Sequence, residues 1–335
     1  MSEKNYQIRL KSRPKGWVSP ENFDYVEAEI PDIGDGQVLI RNLYLSVDPY
    51  MRGRMNDAPS YIPPFQIGEV LEAGVVGQVI QSNNPKFAEG DHVVGMLGWE
   101  LYSRSDGSGL MKVDPSLAPL SYYLGILGMP GMTAYVGLTA IGEAKKGETL
   151  FVSAASGAVG SVVGQLGRIF GCHVVGCAGA DDKVAYLTQE LGFDRAFNYK
   201  TAGQVHKKLA ELCPAGIDVN FENVGGEILE AALWNMSNFG RIVLCGLIAH
   251  YNDEKMAPGP RGMGLIIQRR LKVQGFIVFD HMDLGMEYIQ KAAGWLKDGQ
   301  LKYHESVAEG LDQAPQAFIG MLKGENFGKQ VVKLD

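Results

Sequence analysis

The chain is poor in cysteine. Among 335 residues there are four, Cys172, Cys177, Cys213 and Cys245, and none forms a C-x-x-C pair. No thiol pair at redox or zinc-ribbon spacing is therefore available. The four fall in or beside segments patterned as strands and helices, where a free thiol behaves as a small apolar side chain. A reducing, cytoplasmic setting is expected. Histidine is also scarce: His92, His173, His206, His250, His281 and His304 show no ligand spacing with a cysteine, so no bound metal is expected. Long basic runs are missing and the net charge is −7, which argues against nucleic acid as a partner. No apolar run reaches membrane-spanning length, and the opening Met1-Ser2-Glu3-Lys4-Asn5-Tyr6-Gln7 lacks the apolar core of a signal peptide. No internal repeat or low-complexity stretch stands out. What remains is an ordinary globular composition, 46% apolar and 21% charged, with length for two domains of sizeable core.

The most informative stretch is Thr149-Leu150-Phe151-Val152-Ser153-Ala154-Ala155-Ser156-Gly157-Ala158-Val159-Gly160. An apolar, β-prone run enters a turn of small residues, and Ser161-Val162-Val163-Gly164-Gln165-Leu166 continues as a helix. A dinucleotide pyrophosphate needs this environment: backbone N–H groups at a helix start, and side chains small enough for close approach. Gly157 and Gly160 take the second and third glycine places of the fingerprint, and Ala155 stands at the first. A glycine-rich turn occurs in many α/β proteins, but the strand before it and the helix after it favour a nucleotide. His173-Val174-Val175-Gly176-Cys177-Ala178 reads as the next parallel strand. An NAD-preferring site ends this strand with an acid for the ribose 2′-OH; here Ala178 is followed by Gly179-Ala180-Asp181-Asp182-Lys183. Without the acid a 2′-phosphate is not repelled, and Lys183 is placed to neutralise it. Asp181 and Asp182 are expected to cap the following helix. NADPH is favoured over NADH.

Up to about Leu120 the chain is β-rich, with strands expected in Gln37 to Val47, in Gly74 to Gln81 and after Lys86, as in a small curled antiparallel sheet or barrel. From about Leu124 strands and helices alternate. After the first two strands come Arg195 to Tyr199, Ile217 to Asn223, Gly240 to Gly246 and Lys272 to Phe279. Six strands in this order predict a doubly wound parallel sheet. The last of them is apolar enough to need a partner, which predicts a homodimer through the sheet edge. From Leu301 the tail turns extended again and rejoins the first domain. The expected division is 1–123 with 300–335, and 124–299. The segment Asn252 to Gly264 carries Pro258, Pro260, Met256, Met263 and three glycines beside a strand end. It reads as a lid or pocket wall adaptable to apolar substrates, or as a mobile surface loop.

Several motifs carry a resemblance over nearly the whole length. They are Ser46-Val47-Asp48-Pro49-Tyr50-Met51-Arg52, Gly128-Met129-Pro130-Gly131-Met132-Thr133-Ala134-Tyr135, the glycine fingerprint, Phe197-Asn198-Tyr199-Lys200, Glu222-Asn223-Val224-Gly225-Gly226, Gly240 to Gly246, and Leu322-Lys323-Gly324-Glu325-Asn326-Phe327-Gly328-Lys329. The chain resembles the zinc-independent medium-chain dehydrogenases/reductases, in the branch of prostaglandin reductase, alkenal double-bond reductases and curcumin reductase. The resemblance implies an α/β protein with a GroES-like β-rich catalytic domain and a Rossmann domain. It implies NADPH-dependent reduction of the carbon–carbon double bond of α,β-unsaturated aldehydes and ketones. By the same resemblance Lys183 and Tyr199, beside Gly179, meet the 2′-phosphate, and Gly157, Ala158, Val159 and Gly160 cover the pyrophosphate. Asn223 meets the ribose side, and Cys245, Gly246, Leu247, Ile248 and Tyr251 line the cofactor. Met129, Thr133, Phe276, Ile277 and Val278 reach the nicotinamide, and Asn326 arrives from the returning tail.

Zinc-dependent relatives place a Cys, a His before a Glu and a second Cys where this chain has Leu45, Gly68 before Glu69, and Gly128; none of the three can ligate through its side chain. That suits hydride delivery to an electron-poor alkene. A hydroxyl donor must then meet the carbonyl oxygen, a contribution of roughly 3 kcal/mol per good donor. Tyr251 is the first candidate and Tyr50 the second. His250 stands where the branch usually has Ser or Thr; it is either a general acid or a packed side chain facing away from Tyr251. A quinone reductase of the same superfamily, a zinc alcohol dehydrogenase and a non-catalytic NADPH-binding protein are the competing readings. A small apolar unsaturated carbonyl compound is the expected partner.

Overall fold

The computed structural model describes residues 4–334. The chain separates into two compact units, Met1–Gly125 with Glu305–Asp335, and Ile126–His304. In the first unit β1 (Asn5–Leu10) and β2 (Phe23–Ala28) form an antiparallel pair. They are followed by β3 (Val38–Ser46), the short helix α1 (Met51–Arg54), β4 (Glu72–Ser82), β5 (His92–Gly98), β6 (Tyr102–Ser105) and β7 (Met111–Lys112). Val38, Ile40 and Leu45 of β3 are fully buried, as are Val75, Val76 and Val79 of β4. Trp99 stacks on Phe23.

The second unit opens with α2 (Met129–Val136). It then alternates β8 (Thr149–Val152), α3 (Gly160–Ile169), β9 (His173–Ala178), α4 (Asp181–Gln189), β10 (Arg195–Asn198), α5 (Val205–Leu212), β11 (Ile217–Glu222), α6 (Gly226–Asn235), β12 (Met236–Leu244), α7 (Gly264–Arg269), β13 (Lys272–Gly275) and α8 (Gly285–Lys297). The six strands pair in parallel in the order β10-β9-β8-β11-β12-β13. This is the doubly wound order, and its switch point lies between β8 and β11, where such sheets bind ligands. β8 is buried at every position, as a strand covered on both faces must be. Phe151, Val175, Phe197, Ile217 and Ile242 join Ile228, Ala232 and Leu233 of α6 in one core.

The last strand is shorter than the sequence suggests. It ends at Gly275, not Phe279, because its only neighbour ends there: Leu244 opposite Gly275 is the final pair. Beyond it Val278–Leu284 forms 3₁₀ turns. The tail also departs from the extended reading. Between β14 (Glu305–Glu309) and β15 (Lys329–Lys333) lies α9 (Ala314–Leu322). Pro315 suits its first turn, and Phe318, Ile319, Met321 and Leu322 are buried. β14 and β15 extend the first unit's sheet to the order β14-β15-β3-β4-β5-β7, with β6 also paired to β3. Lys329 of β15 is 1% exposed; its ammonium donates to the Val47 carbonyl at 2.8 Å and pairs with Asp48 at 3.0 Å. Among the described residues no helix is long and apolar enough to cross a membrane.

Candidate functional site

The carboxyl ends of β8 and β11 carry two strand-to-helix turns side by side. In the first, Ala155 N–H donates to the Cys177 carbonyl at 2.9 Å and Gly157 N–H to the Ala154 carbonyl at 3.0 Å, so Ser153 to Gly157 fold tightly over the strand end. A Cβ on Gly160 would lie 2.9 Å from the Ala155 Cα and 3.0 Å from the Ala154 carbonyl carbon. Only glycine lets α3 begin this close to the turn. Val159 precedes the helix and supplies no side-chain cap. The Ser161 and Val162 N–H groups bond to the Gly157 and Val159 carbonyls at 3.0 and 3.1 Å, so an anion at the start of α3 would meet the backbone of Ala158, Val159 and Gly160. Small residues and an uncapped ten-residue helix fit a dinucleotide pyrophosphate.

The second turn is filled from within. Glu222 ends β11 fully buried. Its Oε1 accepts from Ser153 Oγ at 2.8 Å and from the N–H groups of Val224 at 2.8 Å and Gly225 at 2.9 Å. Its Oε2 accepts from Asn220 Nδ2 at 3.1 Å. Burial pushes this carboxyl above the usual carboxylate range, against the pull of the four donors. Ser153 Oγ also accepts the Asn223 N–H at 2.7 Å, and Asn223 Nδ2 donates to the Ser153 carbonyl at 2.8 Å. Asn223 is thus held on both sides by the neighbouring turn.

The segment after β12 is laced to the same place. Cys245 and Gly246 donate to the Glu222 carbonyl at 2.9 and 3.1 Å, Ile248 to that of Asn223 at 3.2 Å and Ala249 to that of Val224 at 3.0 Å. Burial pushes the Cys245 thiol up to about 12, so it stays protonated and apolar. Tyr251 follows a 3₁₀ turn over Ile248–His250. Its hydroxyl oxygen accepts the Leu247 N–H at 3.3 Å, which leaves its own proton to donate. Burial raises its pKa above that of free tyrosine, so the hydroxyl remains protonated. His250 turns elsewhere and pairs through Nδ1 with Asp253 at 2.9 Å. Residues 253–260 form one wall of a cavity of about 400 Å³, against Leu247, His250, Gly225, Gly226, Leu229 and Glu230.

At the end of β9, Tyr199 N–H donates to the Ala178 carbonyl at 3.1 Å, and the Tyr199 hydroxyl lies 3.0 Å from where a Cβ on Gly179 would stand. Lys183 is the third residue of α4 and half-buried, and burial lowers its proton affinity. The expected capping by Asp181 and Asp182 is corrected: the cap position is Ala180, without a side-chain bond, and both acids lie in the first turn. Asp181 accepts instead from Asn198 Nδ2 at 2.7 Å, and Asp182 from the Lys183 N–H at 2.8 Å. The acids still face the positive end of the helix.

Among the other expected contacts, Thr133 Oγ1 donates to the Met129 carbonyl at 2.8 Å inside α2. Phe276 has its ring in packing, with Cζ 2.8 Å from a Cβ built on Gly137. Ile277 follows in extended backbone, and Val278 is buried. Tyr50 and Asn326 belong to the first unit. Tyr50 directly precedes α1, and burial, then the Asp48 carboxylate, raises its phenol far above the usual range. Asn326 Nδ2 donates to the Gly328 carbonyl at 2.7 Å. Sequence reasoning missed Ser153 and Glu222. The signal was an acid closing the otherwise buried strand β11, since a buried polar group needs partners.

A family model described as the N-terminal domain of oxidoreductase matches residues 6–113, and one described as zinc-binding dehydrogenase matches residues 158–296. Among the described residues no group of three or more His, Cys, Asp or Glu is placed to hold a metal ion. The chain is 44% identical over 337 residues to the NADPH-dependent curcumin reductase of Escherichia coli (strain K12), covering 99% of this chain and 97% of that protein. It is 45% identical over 334 residues to the 2-alkenal reductase (NADP(+)-dependent) of Nicotiana tabacum, covering 98% and 97%. The crystal structure of CurA in complex with NADPH from Vibrio vulnificus superposes with a TM-score of 0.94 at 45% identity, covering 98% of this chain and 99% of that one. The chain belongs to the zinc-independent medium-chain dehydrogenases/reductases, in the branch of the curcumin, 2-alkenal and prostaglandin reductases.

Proposed function

We propose that this protein reduces the carbon–carbon double bond of α,β-unsaturated ketones and aldehydes with NADPH. The carrying observation is the pair of turns at the switch point: a small-residue turn into α3, without a side-chain cap, beside a fixed Asn223, with the protonated Tyr251 hydroxyl on the adjoining segment. NADPH, when bound, supplies the hydride for the β-carbon. The chain's own residues bind, orient and donate. Gly157, Ala158, Val159 and Gly160 cover the pyrophosphate. Lys183, Tyr199 and Gly179 receive the 2′-phosphate. Asn223 meets the ribose side, Cys245, Gly246, Leu247 and Ile248 line the cofactor, and Met129, Thr133, Phe276, Ile277 and Val278 reach the nicotinamide; Asn326 is the candidate from the returning tail. Tyr251 donates to the carbonyl oxygen as charge develops there, and a preorganised donor is most valuable at that moment. Tyr50 is the second candidate donor.

Product analysis with 4-deuterated NADPH and an enone tests the reaction. Deuterium at the β-carbon of a saturated ketone is expected; deuterium on the carbonyl carbon of an allylic alcohol would refute it. A panel of enones against quinones separates the quinone-reductase reading. We further propose a homodimer through β13. Its exposed Val273, with the nearby exposed Phe239 and Ile267, supports that edge as an interface, and light scattering showing a monomer would refute it. A cytoplasmic setting belongs to the same reading, supported by four free cysteines.

A further inference from the structure

We propose that Lys200 is a second cationic contact for the 2′-phosphate, so that Lys183 and Lys200 together set the preference for the phosphorylated nucleotide. The inference rests on the NADP(H) reading above. Strand β10 ends at Asn198, whose Oδ1 accepts the Lys200 N–H at 3.0 Å and whose carbonyl accepts the Thr201 N–H at 3.3 Å. This tight turn folds Lys200 back toward the end of β9. A Cβ on Gly179 would stand 3.2 Å from Lys200 Cε and 3.0 Å from the Tyr199 hydroxyl. The far end of the lysine and the phenol therefore flank one backbone point, two residues ahead of α4.

Lys183 lies within electrostatic reach of this lysine: burial, and then the Lys200 charge, weaken its hold on a proton, against the pull of Asp182. Two ammonium groups near one point each add to the attraction for an anion placed between them. The carboxylates alongside explain why two are needed. Asp181 is engaged by Asn198, and Asp182 by the Lys183 backbone. In formal charge two aspartates outweigh Lys183 alone, and Lys200 brings the group of four to balance. A phosphate monoester brings about −1.5 to −2 at neutral pH, and each ammonium then forms a charge-assisted contact with it.

The test is calorimetric binding of 2′,5′-ADP and 5′-AMP to the full chain, comparing wild type, Lys200→Gln and Lys200→Arg. These ligands carry no nicotinamide, so turnover plays no part. Lys200→Gln should weaken 2′,5′-ADP about tenfold, as expected for one charged hydrogen bond, and leave 5′-AMP nearly unchanged. Lys200→Arg should restore most of the loss, and added salt should shrink the difference. Equal weakening of both ligands, or no weakening of 2′,5′-ADP, would overturn the assignment. Wild type that fails to prefer 2′,5′-ADP over 5′-AMP would overturn the cofactor reading as well, and that failure shows before any variant is made.

Discussion

The turns after β8 and β11 lie side by side at the switch point of one sheet, and they are built differently: one closes on a buried carboxyl, the other on small residues and backbone alone. The turn after β11 is served by the chain itself, through the buried Glu222 carboxyl. The turn before α3 has small residues and no side-chain cap. A turn closed on a buried carboxyl belongs to the scaffold; a turn of small residues that lets a ligand approach the backbone is a binding surface. The two are joined through Ser153 and Asn223, so the scaffold turn orients the receptive one.

The largest expected effect strikes the filled turn. Glu222→Leu leaves Ser153, Asn220, Val224 and Gly225 without their acceptor in a buried place, and should cost about 3–5 kcal/mol of stability. Denaturant unfolding would show it as a fall in midpoint at unchanged slope. A loss below about 1 kcal/mol would mean that the turn does not need its carboxyl.

Gly160→Val tests the open turn. The new side chain would meet Ala154 and Ala155 and block the backbone approach. NADPH affinity should fall by about a hundredfold or more, with a stability cost of about 1–3 kcal/mol for overpacking. Quenching of protein fluorescence by NADPH measures it, and near-normal affinity would remove this turn from the cofactor site. Tyr251→Phe, on the segment laced to both turns, should lower kcat by about ten- to a hundredfold while KM moves little, since the donor matters once charge has formed. A rise in KM at constant kcat would instead make Tyr251 a binding residue.

The smallest effect separates the turns by pH. The Glu222 carboxyl lies above its ordinary value of 4.5 in the folded chain, so the folded form holds that proton more tightly than the unfolded one. Its contribution to stability is complete below pH 4.5 and is lost as pH rises through the folded value. The stability difference between wild type and Glu222→Gln should therefore shift toward the variant as pH rises. A difference independent of pH would refute the raised value.

Much of this was legible in the chain. The run Leu150-Phe151-Val152 ahead of Gly157 and Gly160 announced a strand, a turn and a helix, because period, size and glycine placement are local properties. The end of β13 was not legible: an edge strand stops where its neighbour stops, and nothing in Phe276 or Ile277 records that β12 turns away at Cys245. Helix α9 was masked by motif residues on its C-terminal side. Asp181 and Asp182 looked like caps because acids favour helix starts, yet the phase of the first turn was set by Ala180.

The sequence by itself determined the fold class, the switch from a β-rich to an alternating pattern, and the nucleotide turn, since each follows from side-chain size and spacing along neighbouring residues. Only the tertiary structure decided which turn is filled by a carboxyl, where Lys200 points, and which partners Tyr251 and His250 take. Those outcomes depend on groups tens of residues apart, Ser153 with Glu222 and Asn223, Gly179 with Lys200. A hydrogen bond or an ion site forms only when the fold brings its partners within about 3 Å of each other.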